Sequence, residues 1–410
     1  MTDFQTILVA GTYDTKNDEL TYIADVIRGQ GGDVLTMDVS VLGDPAGPVD
    51  VDKHTVAEAG GSSIQAAIDS GDENRAMQIM AAGSAVKTLE LYRDGRIDGA
   101  IVLGGTMGTD LALDLCAALP LGVPKYVVST VSFSPLLPPE RIPADVQMIL
   151  WAGGLYGLNS VCKSSLSQAA GAVLGAARAV ETLKRDRPLI GMTSFGKTVL
   201  RYMLALKPAL EERGFEVAVF HATGMGGRAF ESLAEQGAFA AVMDFAPQEV
   251  ANHIFGGLSA GEDRMTHAGR RGIPQMVAPG CYDLVDVVGW QPLPAHFQDR
   301  PVHAHNRLLT AAVLTAEERR KVARAMAEKL AVATAPVAFF LPKEGCNEWD
   351  RPGTDLHDAE GLAAFIEEVT QALPKSVALH ALDAHINDAS FSEAVLALFD
   401  EWVAQGIVTT

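Results

Sequence analysis

The chain has 410 residues, of which 48% are hydrophobic and 20% charged, and a formal net charge of −19. That length suits about two or three domains, and that composition suits a globular protein with sizeable cores. The acidic excess argues against nucleic acid and anionic membranes as partners, so any phosphate site must be assembled locally from backbone N–H groups and a few cations.

The N-terminus carries Asp3 and no basic segment, so no signal peptide is expected. The first apolar run, ILVAG, leads into the turn GTYDTK (Gly11 to Lys16) and then a helix-like stretch ending at glycine. A strand feeding a glycine turn and a helix N-terminus is where open α/β sheets hold phosphate. Gly11 is the permissive residue of the turn; backbone donors with Thr12, Thr15 and Lys16 are candidate phosphate ligands there, and Asp14 could order a metal or a ribose. A simple N-cap turn is the alternative, since Asp and Thr are favoured caps. DVLTMD predicts a second strand, whose last residue, Asp38, stands where such sheets often place an acid on a ribose. A cap or a surface carboxylate is the alternative. Thr55 to Arg93 reads as a helical insert without a strand.

DGAIVLGGTMGTD (Asp98 to Asp110) predicts a strand followed by three glycines in five residues. That is the composition of an anion-binding nest, with Gly104, Gly105, Thr106 and Thr109 as candidates. LGVPKYVVSTVS supplies a fourth strand. GGLYGLNS then opens a helix of small residues from Ser160 to Leu183, and the charged KRDRP ends it. The boundary is placed at Lys184, giving units 1–184 and 185–410.

The second half repeats the grammar of the first. LIGMTSFGKT, FEVAVFH, AFAAVMDFAPQ and RGIPQMVAPGCY parallel the four earlier strand units in order, whether by duplication or by a shared α/β pattern alone. GMTSFGKT (Gly191 to Thr198) matches the phosphate-binding P-loop pattern, with Thr193 and Ser194 as candidate ligands, Lys197 as its lysine and Asp244 as the magnesium-side acid. The alternative is an accidental match in a Gly-rich turn.

HATGMGGRAFESL (His221 to Leu233) is the most distinctive string. Gly224, Gly226 and Gly227 offer backbone donors to an anion, Arg228 a counter-charge and His221 a general acid or base. A hydrogen-bonded structural histidine is the alternative. His303 and His305 alternate as on a strand but have no nearby metal partner, so a loop or surface role is expected. The four cysteines, Cys116, Cys162, Cys281 and Cys346, lack metal-ligand spacing and read as free thiols of a cytoplasmic protein. Thr315 with Glu318 predicts a capping box on the helix Thr315 to Ala333. PVAFFL, SVALH and a terminal helix from about Ser390 to Gln405 follow. No apolar run approaches the roughly 18 residues of a membrane helix.

Strands alternating with helices, each strand a continuous apolar run, predict an α/β fold in two units, each with a mostly parallel sheet covered on both faces. The two are expected to face each other across a cleft. On GTYDTK, GGTMGT, HATGMGG, GIPQ and HIND (His385 to Asp388), nearly the whole chain resembles the tomato-mosaic-resistance-like ATP-binding family. The resemblance implies two Rossmann-like three-layer subdomains, and ATP with Mg2+ on the first subdomain's glycine turns, carried over to Gly11, Thr12, Asp14, Lys16, Gly104, Gly105 and Thr106. It also implies self-association, a homodimer or other homo-oligomer. The chain departs from the family at Lys197, GCYDLVDVVGW, HAHNRLLT and GCNEWDRPG, all in the second half. Two functions follow: an enzyme on a small metabolite using His221, Arg228 and Asp244, or a nucleotide-binding module acting through protein interaction.

Overall fold

A computed structural model describes residues 4–181, 186–197 and 199–409. The chain divides into two compact units, Met1–Leu183 and Lys184–Thr410. The predicted boundary residue Lys184 lies outside the described residues, as does Thr198 of the P-loop-like string.

Unit 1 runs β1 (Thr6–Gly11), α1 (Asn17–Gly29), β2 (Asp33–Asp38), α2 (Lys53–Ala59), α3 (Ile64–Asp69), α4 (Glu73–Arg93), β3 (Gly99–Gly104), α5 (Thr106–Ala118), β4 (Lys125–Ser129), β5 (Gln147–Leu150) and α6 (Ser160–Ala179). Its strands are all parallel, in the order β2-β1-β3-β4-β5. β1 and β3 are buried along almost their whole length, as central parallel strands must be when helices cover both faces. One face packs on α1 and α6 through Leu20, Ile23, Leu166 and Val173; the other packs on α4 and α5 through Met80, Leu111 and Leu115. The strand order reverses between β1 and β3, and the crevice outside their carboxyl ends is where such sheets bind ligands.

Unit 2 runs β6 (Leu189–Ser194), α7 (Arg201–Glu212), β7 (Glu216–His221), α8 (Met225–Glu235), β8 (Ala241–Asp244), α9 (Glu249–Phe255), α10 (His267–Arg270), β9 (Gln275–Val277), β10 (Leu284–Val288), β11 (Val302–Ala304), β12 (Leu309–Val313), α11 (Ala316–Leu330), β13 (Val337–Pro342), α12 (Ala359–Ala372), β14 (Val377–Leu382) and α13 (Ala389–Ala404). Its main sheet is parallel, in the order β14-β13-β9-β8-β6-β7. Read from the β7 end, its first four strands follow unit 1's arrangement, so the sequence repeat is also a repeat of topology. An antiparallel sheet, β10-β12-β11, was not foreseen from sequence. The capping box on α11 forms as expected: Thr315 Oγ1 accepts from the Glu318 N–H, and the Glu318 carboxylate accepts from the Thr315 N–H.

Candidate functional site

The carboxyl ends of β1 and β3 open on a cavity of about 600 Å³ in unit 1. Thr12, Asp14, Thr15 and Lys16 line one side, and Gly104, Gly105 and Thr106 line another. Two motifs some ninety residues apart in sequence thus meet at the strand reversal.

Lys16 reaches Thr15 Oγ1 at 3.3 Å and Thr12 Oγ1 at 3.4 Å, and the two hydroxyls lie 3.0 Å apart. No carboxylate pairs with Lys16 among the described residues, although the chain is strongly acidic. Helices α2, α3, α4 and α6 are capped by the side chains of Asp52, Ser63, Asp72 and Asn159. Helices α1 and α5 have no side-chain cap. Both begin at the cavity, so their orphan N–H groups and positive dipole ends meet the lone ammonium there. Gly104 is required by close approach: a Cβ would stand 2.5 Å from the Gly108 carbonyl carbon.

Most of the rest of the wall is apolar, with the acidic residues Asp72 and Glu73 at the start of α4 also lining it. Val41, Leu42, Ala67, Ile68, Met77 and Met80 contribute from the loop after β2 and from α3 and α4. Sequence reasoning recognised the helical insert but not this role. At the rim Leu42 is 77% exposed, Met107 49% and Ile68 39%.

Two predicted ligands of this site lie beneath it. Asp38 is fully buried, and its Oδ1 accepts from the Tyr13 N–H and from Ser40 N–H and Oγ. It ties the loops after β1 and β2 together and does not line the cavity. Thr109 is buried too, bonded to the Gly105 carbonyl at 2.7 Å and Ser129 Oγ at 2.6 Å, so it braces the turn from below. Asp14 does line the cavity; its Oδ2 accepts from the Gly43 N–H at 3.2 Å, and its Oδ1 is buried with no partner among the described residues.

In unit 2 the predicted anion turn already holds an anion, and it is internal. Glu249 Oε1 accepts from the N–H groups of Gly224 (2.6 Å) and Gly227 (3.2 Å). Gly224 has φ +85°, and a Cβ on Gly227 would stand 1.8 Å from Glu249 Oε2, while one on Gly226 would meet the His221 carbonyl oxygen at 1.7 Å. The glycines are thereby explained by packing. Arg264 is fully buried and binds Asp244 (2.5 and 2.7 Å), Glu249 (2.7 Å) and Glu231 (3.2 Å). Burial pushes the Glu249 carboxyl up to about 7 against the pull of Arg264. Arg228 pairs with Asp263 at 2.8 Å. Asp244 and Arg228 therefore spend their charges on neighbours, whereas His221 is exposed.

The P-loop-like string takes another shape. Thr193 is buried, donating to Asp244 Oδ1 at 2.8 Å, and Ser194 is buried against the Val199 carbonyl. Phe195 and Val199 form a β-bridge, and α7 begins only at Arg201. A P-loop needs its lysine at the mouth of the helix, whereas Lys197 stands four residues before α7.

Sequence comparison divides the chain in a similar way. The UPF0261 N-terminal-domain model matches residues 5–182 and the C-terminal-domain model residues 187–403. The chain belongs to the uncharacterised protein family UPF0261. A UPF0261 protein of Brucella melitensis is 55% identical over 403 residues, covering 98% of this chain and 96% of the relative. One from Clostridium tetani is 36% identical over 392 residues, covering 95% and 96%. The ToMV resistance protein Tm-1 of Solanum lycopersicum is 30% identical over 421 residues, covering 96% of this chain and 55% of the plant protein. This UPF0261 chain has no helix long and apolar enough to cross a membrane, and no group of three or more metal-ready His, Cys, Asp or Glu side chains, among its described residues.

Proposed function

We propose that unit 1 binds a nucleotide, ATP with Mg2+, in the cavity at the ends of β1 and β3. The observation that carries this reading is the convergence of Lys16 and two side-chain-uncapped helix N-termini on one cavity whose remaining wall is mostly apolar. The phosphates belong with Lys16, Thr12, Thr15 and the N–H groups of Thr106, Met107 and Gly108. The base belongs among Leu42, Ile68, Met77 and Met80, where it would cover apolar surface otherwise left to water. Mg2+ in nucleotide sites usually takes one or two carboxylates plus phosphate oxygens. Asp14, with a buried oxygen lacking a partner, fits that role.

Calorimetry with ATP, ADP and AMP, with and without Mg2+, tests the reading. A charge-assisted contact contributes about 1.5–3 kcal/mol, so Lys16→Ala should weaken ATP binding about tenfold to hundredfold. Lys197→Ala should leave ATP affinity unchanged, since Lys197 belongs to the other unit's pinned turn. No binding of any nucleotide at about millimolar concentration, a free energy near −4 kcal/mol, would refute the proposal.

A further inference from the structure

A nucleotide offers its site charged phosphates, a flat base and, between them, a sugar whose hydroxyl groups are neutral donors. In the cavity of unit 1 the proposed phosphates have Lys16 and its two hydroxyl neighbours, and the proposed base has the apolar wall. Two lining residues are left over, Asp72 and Glu73 at the start of α4. Both are exposed, and neither pairs with a basic side chain among the described residues.

The usual ribose acceptor is engaged elsewhere. Open α/β sheets place an acid at the end of the second strand on the ribose 2′-hydroxyl. Here that residue is Asp38, which is fully buried, accepts from the Tyr13 and Ser40 N–H groups and does not line the cavity. The carboxylates that do line it are Asp14, Asp72 and Glu73. Asp14 shares the turn of Thr12, Thr15 and Lys16, at the phosphate end, and its Oδ2 accepts from the Gly43 N–H. Asp72 and Glu73 come instead from the helical insert.

Their placement along α4 fits a sugar. Glu73, Met77 and Met80 are spaced i, i+4 and i+7 and so share one face of the helix. Met80 is buried, Met77 half-buried and both acids exposed, so this face runs from the floor of the cavity to its rim. A base covering Met77 and Met80 would have its sugar about one helical turn, roughly 6 Å, nearer the rim, beside the two carboxylates. Asp72 is also held in orientation. As the N-cap of α4 its Oδ1 accepts from the N–H groups of Asn74 (2.9 Å) and Arg75 (3.1 Å), while its Oδ2 takes no hydrogen bond among the described residues. An ionised carboxylate only accepts hydrogen bonds, and it repels a phosphate brought against it. This stretch of wall therefore suits hydroxyl donors and not the phosphates.

We propose that Asp72 and Glu73 receive the vicinal ribose hydroxyls, so that the cavity selects ribonucleotides over 2′-deoxyribonucleotides. The assignment rests on the nucleotide reading of the same cavity.

Calorimetry compares ATP with 2′-deoxy-ATP, each with Mg2+, on the full chain and on an Asp72→Asn/Glu73→Gln double variant. Asn caps a helix as well as Asp does, so α4 should keep its start, and thermal unfolding checks that it does. Loss of one hydrogen bond to a charged group should make the wild type prefer ATP about tenfold. In the double variant that preference should fall to about twofold or less. The ratio is the readout, because removing two negative charges, or loosening α4, moves both nucleotides together. Equal affinity of the wild type for the two nucleotides would overturn the assignment, as would a preference that survives in the double variant. No binding of either nucleotide to the wild type would refute the nucleotide reading itself, and the ribose assignment with it.

Discussion

Asp286 offers a quantitative test of how the buried charges of unit 2 are arranged. It sits in β10, paired across the sheet with Ala311, and is fully buried. Its N–H donates to Asn252 Oδ1 at 2.8 Å, its Oδ2 meets Asn252 Nδ2 at 3.4 Å, and its Oδ1 has no partner among the described residues. Burial, opposed by the Asn252 bond and reinforced by Glu249, raises the carboxyl from its ordinary 3.8 to about 7. The folded state therefore holds a proton that the unfolded state releases near pH 4. Stability from this group is complete below that value and is lost as pH rises through 7. A shift of about three units at about 1.4 kcal/mol each makes the loss about 4 kcal/mol. Asp286→Asn removes the titration. The new amide leaves a donor unpaired at a cost of about 1–3 kcal/mol, but that cost is the same at every pH. The variant should accordingly be less stable than wild type near pH 4.5 and more stable near pH 8, with the difference moving by about 3 kcal/mol between them, since part of the loss already lies below pH 4.5. Urea unfolding at both pH values measures this, with Trp151→Phe as background so that fluorescence reports only unit 2. A difference that does not change with pH, or that moves in the opposite direction, would refute the assignment of a protonated Asp286.

Gly104→Ala should destabilise unit 1 by about 1–3 kcal/mol or more, because its Cβ would meet backbone that cannot yield; thermal unfolding checks this. It should also weaken ATP, since the displaced backbone carries the α5 N-terminus. Arg264→Ala leaves Asp244, Glu249 and Glu231 buried without their cation, so unit 2 should lose about 3–5 kcal/mol at pH 8. Part of that should return at pH 5, where the carboxyls take up protons, and urea midpoints at the two pH values report it.

The sequence by itself determined the two parallel sheets and their covering helices, though not the antiparallel sheet of unit 2. Continuous apolar runs such as AIVLG and VAFFL can be satisfied only by burial on both faces, and their alternation with helices leaves a parallel sheet as the solution. The glycine turns GTYDTK and GGTMGT were legible for the same local reason: a strand end, a permissive backbone and a helix N-terminus all lie within a few residues. Partners distant in sequence were not legible. HATGMGG displays anion-binding donors, but only packing decides that the anion is Glu249, 22 residues from Gly227. Lys16 and Lys197 stand in similar turns; only the folded chain puts one beside a cavity and the other on a turn pinned by Phe195 and Val199. The apolar wall from Leu42 to Met80 and the alternation of His221, Phe195, His305, His303 and Trp349 likewise arise from tertiary packing. Backbone conformation is set by neighbours along the chain. The free energy of a charge or an apolar surface is set by what covers it, and in this protein that cover comes from distant segments.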